Sequence, residues 1–141
     1  MMPEESGTPD SAELARLFIA AAGRRDLDAV MTFYRPDAVW DLSDADMETC
    51  VGTAAIRDLW EVWFGAYEEL TITSERVLDL GSGVVCVGYE EDGRLLDSHA
   101  HVKQQRAQVI VLIGGSISRM SAYMDFEHAR AAAVRLAGEL R

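Results

Sequence analysis

Hydrophobic and polar positions follow two different periods along this chain. From Asp10 to Tyr67 the apolar side chains recur every three or four residues; from Leu70 to Met124 they recur every second residue or in short runs. The first period is that of a helix packed on one face, the second that of a strand. Asp10 stands three residues before Glu13, a capping-box-like start, and Leu14, Leu17, Phe18 and Ala21 then share one helical face until Gly23 ends it. Asp26 opens a shorter helix carrying Leu27, Val30, Met31 and Tyr34, which Pro36 closes. Ala38–Ser43 reads as a strand with Trp40 and Leu42 on one face and Val39 and Asp41 on the other. After an acidic loop at 44–48, Gly52-Thr53 opens a third helix whose Ile56, Leu59, Trp60, Trp63, Phe64 and Tyr67 match the helical template at every step.

The second half reads as a meander. Strands are expected over 71–80, 84–89, 95–113 (long and bent) and 116–124, separated by turns at Gly81-Ser82-Gly83, Glu91-Asp92-Gly93 and Gly114-Gly115. Asp125 then caps a last helix with Ala129, Ala132, Ala133, Leu136 and Leu140 inward. Helices beside an antiparallel meander predict an α+β domain with the helices on one face of the sheet. Residues 1–9 read as a flexible lead, and 10–141 as one domain.

Composition narrows the function. Acidic residues outnumber basic ones 24 to 13, a net charge of −11, which lacks the basic footprint of a nucleic-acid binder and disfavours anionic membrane surfaces. No apolar run reaches the roughly 18 residues of a membrane span, and the first ten residues lack a signal-peptide pattern. The two cysteines, Cys50 and Cys86, have no metal-ligand spacing and read as reduced thiols of a cytoplasmic protein. No cofactor fingerprint or metal spacing is present, so neither a cofactor nor a metal is expected.

Four segments carry a family resemblance: Arg25–Val30, Tyr34–Trp40, Gly52–Arg57 and Gly115–Asp125. In that order and spacing the chain resembles the SnoaL-like (polyketide-cyclase-like) and ketosteroid-isomerase-like proteins of the nuclear-transport-factor-2-like superfamily. The resemblance covers roughly residues 11–130. It implies a cystatin-like cone, a curved antiparallel sheet whose helices close a deep pocket, and a homodimer through the outer sheet face. It also implies a small organic molecule as partner. Compared with the ketosteroid isomerases, Phe18 stands where a helix-1 Tyr donates a hydrogen bond, Leu42 where the base stands, and Val109 near the late-strand acid. Tyr34 matches a supporting Tyr, and Trp60 replaces another. A shift of one residue in a strand reverses its face, so Asp41 inherits the base role only if a bulge re-aims it.

The candidates for chemistry each have a plain structural alternative. Asp41, flanked by apolar neighbours, is a base with a raised pKa or an outward carboxylate that binds loop amides or pairs with an Arg such as Arg57. Asp97, His99 and His101 share a strand face as an acid–base pair, a metal set, or a solvated edge. Asp125 fits an N-cap, and His128 a solvent-facing position. Phe18, Trp40, Trp60, Trp63, Phe64, Met120 and Met124 are the expected apolar lining, which overlaps with plain core in a small cone. Tyr34, and after it Tyr67, are the expected polar handles. The resulting expectation is a small-molecule-binding domain, catalytic through Asp41, His99 and Tyr34 in an isomerase, cyclase, dehydratase or hydrolase reaction, or else a non-enzymatic accessory or dimerisation domain.

Overall fold

A computed structural model describes residues 10–141; the lead expected over residues 1–9 lies outside them. In chain order the elements are α1 (Ser11–Gly23), α2 (Leu27–Met31), β1 (Tyr34–Asp41), β2 (Cys50–Val51), α3 (Thr53–Gly65), β3 (Tyr67–Gly81), β4 (Val84–Leu95), β5 (His101–Ile113), β6 (Ser116–Tyr123) and α4 (Phe126–Leu140). Three helices start on an aspartate that satisfies orphan backbone donors. Asp10 accepts from the Glu13 amide, Asp26 from Ala29, and Asp125 from His128.

The strands form one curved, unclosed six-stranded sheet in the order β2-β1-β6-β5-β4-β3. All neighbours are antiparallel except β1 and β6, which run parallel. β1 begins at Tyr34, so Pro36 does not close α2. It sits instead where the β1–β6 register slips between Tyr34 and Val39, a place where a missing N–H costs no ladder bond.

The concave face of the sheet holds the larger core. Phe18 and Ile19 of α1 and Ile56, Trp60 and Phe64 of α3 pack there on Val85, Val87, Ile110 and Met120. The convex face is covered too. Ala129, Ala133 and Ala137 of α4 lie on Val84, Cys86, Val109 and Val111. The expectation that all helices share one face is therefore corrected. Alternate residues of β4 and β5 are apolar on both sides, which requires cover on both. Ala132, Leu136 and Leu140 are not fully buried, because an Ala-only stripe at spacing four lets the helix sit close.

Two further expectations fail together. Glu91-Asp92-Gly93 is no turn: β4 runs through it, paired with β3 at Leu70↔Gly93 and with β5 at Gly93↔Val102. Gly93 is there for space, since a Cβ would lie 2.5 Å from the Glu69 carbonyl oxygen and 2.8 Å from the Tyr67 ring. The chain reverses at 96–100 instead, splitting the expected 95–113 strand. That turn is closed by local bonds between Leu95 and Ala100 and between His99 and Leu95, with the Arg94 guanidinium donating to the His99 carbonyl, and is tied down by one long-range bond from the Leu96 amide to the Ala66 carbonyl.

Candidate functional site

The polar half of the concave face does not fill. Between the α3 side of the cone and the distal parts of β4, β5 and β6 lies a cavity of about 370 Å³, within the size range of small-molecule sites, roughly 300–1,000 Å³. Trp40, Leu42, Leu59 and Trp63 form its apolar walls, and Met47, Val62 and Met124 form a half-exposed rim. Strand alternation aims Tyr89 and Glu91 of β4 and Gln104, Arg106 and Gln108 of β5 into it.

Glu91 dominates the electrostatics. Only 2% of it is exposed, yet it is a carboxylate. Its Oε1 accepts from Arg106 Nε at 2.8 Å and from Gln104 Nε2 at 3.1 Å. Its Oε2 is buried and has no hydrogen-bond partner among the described residues. Burial raises its pKa above the usual carboxylate value, and Arg106 opposes that rise without cancelling it. An unpaired buried oxygen is costly; the Glu91 side chain lines the cavity, while this oxygen is itself covered by protein.

Deeper in, three polar side chains from three strands form a chain. Trp40 Nε1 donates to Gln108 Oε1 at 3.3 Å, and Gln108 Nε2 donates to the Tyr89 hydroxyl oxygen at 3.1 Å. Tyr89 is nearly fully buried, and burial raises its pKa.

A sequence model described as SnoaL-like domain matches residues 15–120. The chain belongs to the SnoaL-like family. No curated protein sequence matches it. Among solved structures it is similar to a candidate isomerase from Bacillus subtilis (TM-score 0.72, 21% identity, covering 99% of this chain and 98% of that one). It is also similar to a candidate polyketide cyclase from Pseudomonas putida (TM-score 0.74, 16% identity, 84% and 94%). A third is a protein with a ketosteroid-isomerase-like fold from Catenulispora acidiphila, solved in complex with trimethylamine (TM-score 0.71, 16% identity, 89% and 93%). At these identities the likeness is one of fold.

Within this SnoaL-like domain the residues singled out from sequence fall in several places. Trp40, Trp63 and Met124 line the cavity, as does Tyr67. Phe18, Trp60 and Met120 surround only a void of about 10 Å³ and are packed core. Phe64 lines neither; it packs against Trp60 with ring centroids 5.1 Å apart. Tyr34 lies beneath the cavity, its ring edge-on to Phe18 and its hydroxyl accepting from Trp60 Nε1 at 3.1 Å. Burial raises its pKa.

Asp41 faces away from the cavity. Trp40 pairs with Met120 and Asp41 with Ser121, so alternation places Trp40 inward and Asp41 outward. Leu42 then lines the cavity. Asp41 is held by the Ser43 hydroxyl at 2.6 Å and amide at 3.0 Å, and by Arg119 at 2.7 Å rather than Arg57. Those hydrogen bonds, with Arg119 adding to them, lower its pKa. Arg57 pairs with Asp28.

The expected face shared by Asp97, His99 and His101 is absent. Residues 97 and 99 lie in the turn before β5, and only His101 begins the strand. His99, in a left-handed conformation, contacts Glu68, and His101 contacts Asp92, both on the exposed surface. No cluster of three metal-ligating side chains occurs among the described residues, and none of their helices is long and apolar enough to cross a membrane. Cys50 and Cys86 are free thiols.

Sequence reasoning missed Glu91, Arg106, Gln104 and Gln108. The available signal was the alternation Val85, Val87, Tyr89, Glu91 running past the Asp-Gly pair, opposite Gln104, Arg106, Gln108 and Ile110.

Proposed function

We propose that the chain takes a small, largely apolar organic molecule into this cavity and moves a proton on it without a cofactor, in a reaction of the isomerase, cyclase or dehydratase type. The observation that carries this reading is Glu91, a buried carboxylate with one unpartnered oxygen, in the lining of a cavity with mostly apolar walls. A desolvated carboxylate is a stronger base than one in water, and a raised pKa brings its proton affinity closer to neutral pH. A small shift of the side chain bares Oε2 to the cavity, where Glu91 takes the proton and returns it at a second position, while Arg106 and Gln104 hold Oε1. The proton-moving role thus goes to Glu91 rather than to Asp41, His99 or Tyr34. The trimethylamine held by the Catenulispora relative supports a small organic ligand in this fold.

Native mass spectrometry of the purified protein tests the first half: a co-purified organic molecule of a size that fits about 370 Å³ is expected. Glu91→Gln tests the second. It keeps the shape and both contacts to Oε1, so turnover of that molecule should fall by about 10²–10⁴ with its binding retained. Unchanged turnover in Glu91→Gln removes the carboxylate from the reaction.

The alternative, a non-enzymatic accessory domain, is favoured by one observation. Arg106 already neutralises Glu91 at 2.8 Å, as in a purely structural pair. A bound molecule recovered unchanged, and held equally by Glu91→Gln, would decide for it. A homodimer and a cytoplasmic location belong to the same proposal, with the dimer contact falling outside the part of the outer sheet face that α4 covers. The former rests on the family resemblance and is tested by sedimentation; the latter rests on the two free thiols.

A further inference from the structure

The chain of hydrogen bonds on the cavity floor has only one possible direction. The indole N–H of Trp40 is a donor with no acceptor capacity. The Gln108 amide oxygen must therefore face Trp40, and its NH₂ group must face Tyr89, as the 3.3 Å and 3.1 Å contacts require. The Tyr89 oxygen is thereby engaged as an acceptor. Its own proton finds no acceptor among the described residues, although the side chain is 4% exposed. Tyr89 and Glu91 are two residues apart on β4, so they share a face, and both line the cavity.

We infer that Trp40 and Gln108 are positioning residues that turn the Tyr89 hydroxyl proton into the cavity, so that the site selects molecules carrying a hydrogen-bond-accepting oxygen beside the part that meets Glu91. This inference rests on the cavity being a ligand site, but not on turnover. The site then offers a ligand one neutral donor, Tyr89, next to the Glu91 carboxylate, the two fixed by successive inward positions of one strand. An apolar molecule without an acceptor oxygen leaves the Tyr89 proton unpaired and loses affinity on that account.

The test uses two probes of one shape, acetophenone and α-methylstyrene, in which the carbonyl oxygen is exchanged for a methylene. Binding is followed by quenching of the cavity tryptophans, and the bound ketone by its infrared carbonyl stretch. Tyr89→Phe should weaken acetophenone about tenfold and leave α-methylstyrene within about twofold. The carbonyl stretch should be red-shifted on binding to the unmodified protein and return toward its hydrocarbon-solvent value in Tyr89→Phe. Gln108→Glu, which offers Tyr89 a carboxylate to donate to, should reproduce the Tyr89→Phe pattern although Tyr89 is intact. A merely structural role for Tyr89 would weaken both probes alike and overturn the inference, as would an unshifted carbonyl stretch in the unmodified protein. Tight binding of both probes with no discrimination would overturn it while leaving the cavity reading standing. Failure of both to bind would sink the cavity reading and the inference with it.

Discussion

Removing Arg106 should cost the protein more as the pH rises, and the reason lies in the asymmetry of its pair with Glu91. Glu91 is 2% exposed and Arg106 29%, with 2.8 Å between Nε and Oε1. Breaking a buried pair by deleting one partner costs about 3–5 kcal/mol, because the other charge is left buried and uncompensated. Arg106 is partly solvated, so Arg106→Met belongs at the low end, about 3 kcal/mol at pH 8. For a chain of this length that corresponds to a fall in Tm of about 10 °C.

The pH dependence separates this cause from lost packing. Burial already raises the Glu91 pKa, and Arg106→Met raises it further. A folded-state pKa above the unfolded one means that the native state binds more protons, so stability is lost as pH rises through the interval between the two. The loss is about 1.4 kcal/mol per pH unit within that interval. The gap between the unmodified protein and Arg106→Met should therefore be smallest near pH 4.5 and widen toward pH 8. Urea titrations at four pH values measure it. Adding Glu91→Gln to Arg106→Met should restore most of the loss at pH 8, since no buried charge remains. A gap independent of pH, or no rescue by the second substitution, would refute the view of Glu91 as a buried, ionisable carboxylate held by Arg106.

Three further perturbations probe the frame around the site. Gly88→Ala places a Cβ 2.7 Å from Phe126 Cδ1, so the Phe126 ring or α4 itself must shift; a loss of about 1–3 kcal/mol is expected in urea unfolding. Cys86 is fully buried with its thiol pushed up to about 11, whereas Cys50 is half-buried. A thiol reagent at pH 8 should therefore label Cys50 in the folded protein and reach Cys86 only on unfolding, as peptide mapping would show. Asp41→Asn should cost about 1 kcal/mol at pH 7. The Asp41 pKa is lowered in the folded state, so its contribution is present above the unfolded pKa and lost as the pH falls through the folded one. The difference between the two proteins should accordingly shrink below about pH 4, while affinity for a cavity ligand should stay unchanged.

The helices and their caps were legible because their signals are local. An aspartate three residues before the amide it accepts, and Ile56, Trp60 and Phe64 at helical spacing, need no knowledge of the rest of the chain. The second turn of the meander was not. Asp92-Gly93 has the composition of a hairpin, but its glycine makes room for the Tyr67 ring, a contact 26 residues away in sequence. The true reversal at 96–100 contains no glycine, and its position is fixed by a bond from the Leu96 amide to the distant Ala66 carbonyl as well as by its own backbone bonds. Misplacing that turn put Glu91 at a loop tip. It also put Asp97, His99 and His101 on a strand face that does not exist, so the candidate chemistry moved with it.

Parity along a strand then decides what each carboxylate can do. Asp41 and Glu91 both sit on strands, each with an arginine partner, Arg119 at 2.7 Å and Arg106 at 2.8 Å. Asp41 falls on the outward parity of β1, where Ser43 and solvent complete its hydrogen bonds and its pKa falls. Glu91 falls on the inward parity of β4, where one oxygen is left without a partner and its pKa rises. The same residue class beside the same kind of cation is a surface clasp in one place and, in the reading proposed above, an acid–base group in the other. What distinguishes them is not the charge pair but which face of the sheet the position occupies. Had β4 slipped by one residue, Glu90 would occupy the cavity and Glu91 would face outward. The register of β4 against β5, Glu91 opposite Gln104 and Tyr89 opposite Arg106, is thus the structural feature on which the site's chemistry depends.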